Sequence, residues 1–260
     1  VRGCPPLLII FKKGVFILKI QGLEPYYFDI ETTGLSGIQD DFVLAVVQNG
    51  DDVNVFLDLV EFFDYIKHNV QGILVGYNTE NYRGGFDLPF LRSLTLRKGL
   101  IWPFTGLKHL DILPLVQSSL QTRIYEVKIP SQSSLRKADL TELAFINEIS
   151  YINTKETYAK LLELHKEGLC NWNGLEQVVT TESNTLDDVY AYFFDPDREE
   201  EYIDVEKLIN QFKAKEISYE EFVALNTIHC KDDVRRLKAV TEALLPLLPQ
   251  NYVDRNLVTL

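Results

Sequence analysis

The stretch Tyr26-Tyr27-Phe28-Asp29-Ile30-Glu31-Thr32-Thr33-Gly34-Leu35 decides how this chain is read. It opens with aromatic and apolar residues, as strands do, and ends at a glycine, a turn signal. Side chains alternate between the faces of a strand, so Asp29 and Glu31 project the same way. Two carboxylates on one face of a buried strand repel each other and resist desolvation. A divalent cation held between them removes that penalty. The alternative for this stretch alone is a strand end with two solvated acids.

Working outward, Leu7–Ile20 reads as two short strands around Lys12-Lys13-Gly14, a hairpin-like signal. Downstream, Phe42–Gln48 is a strongly apolar strand, Asn49-Gly50-Asp51 a hairpin turn, and Val53–Leu57 the returning strand. With the opening strand they make an antiparallel meander. Val60–His68 carries Phe62, Phe63 and Ile66 at helical spacing. Ile73–Tyr77 is a short strand expected to run parallel to the opening one. Phe86–Lys98 is a predicted helix with Pro89 tolerated in its first turn, and His109–Val116 a strand running into a helix. Asp139 with Glu142 resembles a capping box that opens a helix over Leu140–Ile149, and Thr154–Glu167 is another helix stopped by Gly168. Residues 170–200 are polar and acidic and read as a loop-rich insertion or lid with partial helix. Ser218 and Glu221 form a second capping box, opening a helix that continues to Leu245 and stops at Pro246. The sum predicts an α/β chain built on a mixed sheet.

At 260 residues with 46% apolar content the chain is long enough for one large domain with a substantial core. No apolar run reaches the roughly 20 residues of a membrane helix, and Leu7–Phe11 is cut too soon by Lys12 and Lys13 to serve as a secretory signal. Cys4, Cys170 and Cys230 are odd in number and widely spaced. That argues against a disulfide framework or a zinc knuckle and fits a reducing cytoplasmic setting. The net charge of −12 argues against a generic nucleic-acid coat protein. Its distribution says more: residues 83–137 carry a net +6, and residues 138–233 a net −14. A local basic surface suits a phosphate backbone; a cluster scattered over several faces is the competing reading. The acidic region is solvated surface by default, or a face for a protein partner.

Three more acids stand in informative places. Asp87 follows Phe86 at a predicted helix start, and Asp232 and Asp233 lie inside the long C-terminal helix. His229 and Asp233 are four residues apart and share a helix face. Asp232 is turned about 100° away, which favours Asp233. Asp29, Glu31, Asp87 and Asp233, with His229 beside the last, make a hard, oxygen-rich set of the kind that holds two divalent cations and hydrolyses phosphodiesters.

Phe28-Asp29-Ile30-Glu31-Thr32-Thr33-Gly34-Leu35 resembles the first motif of the DEDD 3′–5′ exonucleases, a group with a ribonuclease H-like fold. Gly76-Tyr77-Asn78 with Phe86-Asp87-Leu88-Pro89-Phe90-Leu91 resembles their second motif, as written in the proofreading domains of family B polymerases. His229-Cys230-Lys231-Asp232-Asp233-Val234 resembles their third. The likeness spans roughly residues 26–115 and 218–245. It departs from the family in an expanded loop, Thr79–Gly85, and in carrying His229 at the spacing where one branch has tyrosine.

The resemblance implies one ribonuclease H-like exonuclease domain over residues 1–260, a mixed sheet flanked by helices; the residue patterning adds an N-terminal hairpin and a mostly helical insertion at about 150–217. It implies Asp29, Glu31, Asp87 and Asp233 as ligands of two Mg²⁺ or Mn²⁺ ions, and His229 as general base. It implies Thr32 and Leu35 against the 3′-terminal nucleotide, with Asn78 and Phe86 supporting the substrate. The reaction implied is stepwise hydrolysis of single-stranded DNA or RNA from the 3′ end. Tyr77, Tyr82, Phe86 and Trp102 are able to stack on bases, although each one singly also suits core packing. A ribonuclease H-like binding module without catalysis, and a structure-specific endonuclease on the same fold, remain as alternatives.

Overall fold

A short antiparallel pair, β1 (Leu8–Lys12) and β2 (Val15–Lys19), precedes the decisive strand β3 (Pro25–Thr32). The computed structural model describes residues 8–12, 15–80, 85–120, 123–126, 179–182, 185–194, 203 and 205–260. Two compact units divide the chain: Val1–Leu120 with Thr185–Leu260, and Gln121–Asn184. In the second unit, β8 (Arg123–Glu126) pairs antiparallel with β9 (Val179–Glu182).

The first unit is built on the expected mixed sheet. Its six strands run in the order β10-β7-β6-β3-β4-β5, with β4 at Phe42–Asn49, β5 at Asp52–Phe56, β6 at Ile73–Gly76, β7 at Lys108–Asp111 and β10 at Leu257–Thr259. β3, β4 and β5 form the antiparallel meander, and β6 lies parallel to both β3 and β7. Gly50 turns the chain between β4 and β5 with φ +58°, the left-handed conformation this hairpin needs.

Alternation along the strands separates two cores. Phe28, Ile30, Ala45, Val47 and Leu74 pack on one side against α1 (Leu59–Asn69) and α2 (Asp87–Lys98). Tyr27, Leu44, Val46, Ile73 and Val75 face the other way. There they meet Phe222, Cys230, Val234 and Leu237 of the long helix α6 (Tyr219–Leu244). With both faces covered, β4 is buried almost throughout, which is why it reads as one apolar run rather than an alternating one. Among the described residues, the other α-helices of this unit are α3 (Leu113–Ser119), α4 (Leu186–Phe194), α5 (Val205–Lys213) and α7 (Gln250–Asn256).

The Ser218 cap forms as the sequence predicts, and a second cap, Asp58, stands at the start of α1. Ser218 accepts from the Glu221 N–H at 3.1 Å to open α6, and Asp58 accepts from Val60 and Glu61 to open α1. Beyond Pro246, where the sequence pattern assigns no element, α7 and the three-residue β10 form, and β10 closes the sheet edge antiparallel to β7. In the segment read as loop-rich with partial helix over 170–200, α4 is that helix, and the strand β9 is an addition. The helices expected over Leu140–Ile149 and Thr154–Glu167 lie outside the described residues. No helix among the described residues is long and apolar enough to cross a membrane.

Candidate metal centre

Parallel pairing fixes where the acids sit. β6 matches β3 only as far as Tyr27 opposite Val75, and β6 ends at Gly76. Asp29 and Glu31 therefore extend past its end, on the face that meets α6, because they alternate in phase with Tyr27. On the other edge Glu31 stays paired with Leu44, and the register slips between Glu31 and Thr32. The bulge ends regular pairing beside the acids.

Beyond β6 the chain turns back into α2 and delivers Asp87. Asp111, at the end of β7, organises that turn: its carboxylate accepts from the N–H groups of Asn78 at 2.9 Å, Glu80 at 3.1 Å and Leu113 at 3.0 Å. Asn78 takes a left-handed φ of 58°, which asparagine tolerates better than most residues. The base of the following loop is pinned where the Phe86 N–H donates to Asn78 O at 2.6 Å and the Leu88 N–H to Thr79 O at 3.1 Å. A Cβ on Gly76 would meet Thr79 Cγ2 at 2.1 Å, so this approach requires glycine. The buried Thr79 hydroxyl is paired with His109 Nε2 at 2.7 Å.

α6 completes the group. His229 Nε2 lies 3.2 Å from Asp233 Oδ2 and 3.7 Å from Glu31 Oε1. The Cys230 thiol hydrogen-bonds the Asp29 carboxylate. Ligand atoms of Asp29, Glu31 and Cys230 all lie within 4.8 Å of one another, a group able to hold a metal ion. Asp232 points elsewhere and pairs with Arg235 at 3.2 Å.

The electrostatics of these acids are those of carboxylates that outnumber the cations beside them. Burial, then the Asp233 carboxylate, pushes Asp29 up to about 8, against the opposing pull of the Cys230 thiol. Glu31 is held well above the ordinary carboxylate range by burial and by Asp29, Asp233 and Asp87. Asp87 is raised likewise by burial and by Asp29, Asp111 and Asp233. Asp233 is raised chiefly by burial, with His229 acting in the opposite sense. Burial also pushes the Cys230 thiol well up. Asp87 Oδ2 is buried and has no hydrogen-bond partner among the described residues. A buried acceptor without a donor, within a set of mutually repelling carboxylates, fits a divalent cation as the missing partner.

The expected substrate residues differ in their surroundings. Leu35 is 81% exposed at the tip of the loop after β3. That loop is held by Arg97, which donates to the carbonyls of Ile38 and Asp40 and to the Asp41 carboxylate. Thr32 is buried and donates its hydroxyl to Gly34 O at 2.7 Å, shaping the turn. Phe86 is half-buried, with its ring 5.4 Å from that of Phe90. Tyr77, Phe86 and Trp102 pack against the two cores, and Tyr82 lies outside the described residues. Within the basic segment, Arg92 forks onto Glu80 at 2.6 Å, and Arg97 and Lys98 face Asp41. Much of its described charge is thus already paired.

Two participants escape the sequence reading. Cys230 enters it as a cysteine without a disulfide partner and as a residue of the third motif, with no role assigned; its signal was its place three residues before Asp233, on the same helix face. Asp187, on α4, enters only as part of an acidic surface segment, yet it forms an ion pair with the buried Arg236, which also contacts Asp233 Oδ1 at 3.1 Å.

Among solved structures, the chain is similar to the family B DNA polymerase from the hyperthermophilic archaeon Pyrobaculum calidifontis. The TM-score is 0.51 and the identity 17%, over 89% of this chain and 27% of that one. The likeness is one of fold, and the six-stranded mixed sheet flanked by helices is ribonuclease H-like. No protein-family model and no curated protein matches the sequence.

Proposed function

We propose that this protein is a metal-dependent 3′–5′ exonuclease acting on single-stranded nucleic-acid ends. One observation carries the reading: Asp29 and Glu31 from β3, Asp87 from α2 and Asp233 from α6 are mutually repelling, and the buried Asp87 Oδ2 lacks a donor. The fold likeness to a DNA polymerase supports nucleic acid as the substrate class.

Asp29, Glu31, Asp87 and Asp233 would hold two divalent cations, Mg²⁺ or Mn²⁺, which supply the charge that activates water and stabilises the leaving oxygen. The protein's own groups do the rest. β3 and α6, packed together through Tyr27, Cys230 and Val234, hold the acids on rigid elements. His229, buried beside Asp233 and Glu31, would accept the proton of the attacking water when its imidazole is neutral. In the arrangement seen here its Nε2 points at Asp233 and Glu31, so that role requires those carboxylate oxygens to be engaged elsewhere. Leu35, exposed on a loop braced by Arg97, presents an apolar surface to the terminal base, with Asn78 and Phe86 beside the turn that carries Asp87.

The test is digestion of one single-stranded oligonucleotide, as DNA and as RNA, labelled at either end, with Mg²⁺ or Mn²⁺. A 5′-labelled strand should yield a ladder of progressively shorter products, and a 3′-labelled strand should release labelled mononucleotide at once. A circular single strand should survive. Cleavage of the circle would make the protein an endonuclease, and no metal-dependent cleavage of any substrate would remove the reading.

A further inference from the structure

Arg236 is a cation buried beside the acids that the nuclease reading leaves unused. It is 4% exposed, and its Nη1 donates both to Asp187 and, at 3.1 Å, to Asp233 Oδ1. Its guanidinium lies 5.9 Å from the centre of the Tyr190 ring. A buried arginine is costly unless its charge is matched; two carboxylates and a ring face match this one. The arrangement joins two helices. Asp233 and Arg236 stand three residues apart on α6, and Asp187 and Tyr190 stand three residues apart on α4, so each pair shares one helix face.

The consequence falls on Asp233. Its Oδ1 faces Arg236 and its Oδ2 faces His229 Nε2 at 3.2 Å, so its carboxylate is oriented from both sides. Asp187 supplies the balancing charge. Without it, the whole guanidinium charge would fall on Asp233 and compete with a bound cation for the same carboxylate.

We infer that Asp187 and Arg236 are positioning residues that orient Asp233 for a divalent cation, Arg236 by contact and Asp187 by neutralising Arg236. The inference rests on the metal-dependent reading above. Its place in the chain gives it interest: Asp187 lies just after the Gln121–Asn184 unit, so the segment that returns from that unit supports the site.

Calorimetric titration of Mn²⁺ into the substrate-free protein, with thermal melting alongside, tests it. Asp187→Asn should weaken Mn²⁺ binding about tenfold, as loss of a ligand's supporting partner does. In an Arg236→Gln background the same change should not weaken binding further. Should Asp187→Asn fail to fold, Arg236→Lys carries the test, because lysine keeps the charge but loses the planar guanidinium set against the Tyr190 ring that fixes Nη1 between the two carboxylates; Mn²⁺ binding should again weaken. A lowered melting temperature with unchanged Mn²⁺ affinity would make the contact a plain structural ion pair and overturn the inference. Additive losses in the double variant would overturn it as well. Wild-type protein that binds no Mn²⁺ would overturn this and the nuclease reading together, whereas wild-type binding unaffected by either substitution would overturn this alone.

Discussion

Asp111 and Asp87 belong to neighbouring turns of the first unit, and their surroundings are opposite. Asp111 receives three backbone N–H groups, from Asn78, Glu80 and Leu113, and so ties the end of β6 to the end of β7. Asp87 is as deeply buried, feels Asp29, Asp111 and Asp233, and leaves Oδ2 without a donor among the described residues. Both are short acids beside a helix start, so residue type does not tell them apart. The count of donors does: one carboxylate is used up in holding the chain, and the other is held by the chain with its binding capacity unspent.

Substitution should separate the two regions cleanly. Asp87→Asn should reduce nuclease activity by about a hundredfold or more, since residues that merely orient metal ligands already cost about ten- to a hundredfold. The same change should leave the metal-free protein as stable or more so, because folding no longer has to bury a carboxylate that is held well above its ordinary range. Asp111→Ala should do the reverse, lowering stability by about 3 kcal/mol through the stranded N–H groups, as read by denaturant unfolding. If Asp87→Asn unfolds the protein, the distinction between the regions is wrong.

Solution pH sharpens the contrast. An acid whose folded-state pKa is raised keeps a proton that the unfolded chain has already released, so folding loses stability as pH rises through that interval. For Asp29 the window runs from the ordinary 3.8 up to about 8, and Glu31, Asp87 and Asp233 shift in the same direction. The melting temperature of metal-free protein should therefore be lower at pH 8 than at pH 5.5, and added Mn²⁺ should raise it more at pH 8. An equal Mn²⁺ effect at both values would contradict the raised carboxylates. The smallest effect belongs to the fork between Glu80 and Arg92, where both side chains are partly exposed. Glu80→Gln should cost less than about 1 kcal/mol and leave Mn²⁺ binding unchanged.

The parts that local patterning governs were legible in the sequence. Alternation in β3, the Asn49-Gly50 turn and the Ser218 cap each state their conformation within a few residues. β10 was not legible, because three residues are too few to show a period and their pairing with β7 depends on packing alone. Among the acids, Asp29 and Glu31 announce themselves by sharing a strand face, and His229 and Asp233 by sharing a helix face. Asp187 has no such local sign. It sits in an acidic segment that looks like solvated surface, and only the docking of α4 on α6 brings it to Arg236. Arg236 did leave a trace, as a charged residue among the buried Val234, Leu237 and Val240, three residues from Asp233.

The most direct test of the central claim is the heat of Mn²⁺ binding at pH 7 to metal-free wild-type protein, to Asp111→Ala and to Asp87→Asn, each in two buffers of different ionisation enthalpy. With Asp29 still holding its proton at that pH, binding to the wild type should release protons and give different heats in the two buffers. Asp111→Ala should bind similarly at a temperature where it is folded, and Asp87→Asn should bind much more weakly. No binding by the wild type, or equal binding by Asp87→Asn, would contradict the assignment of these acids to a metal centre.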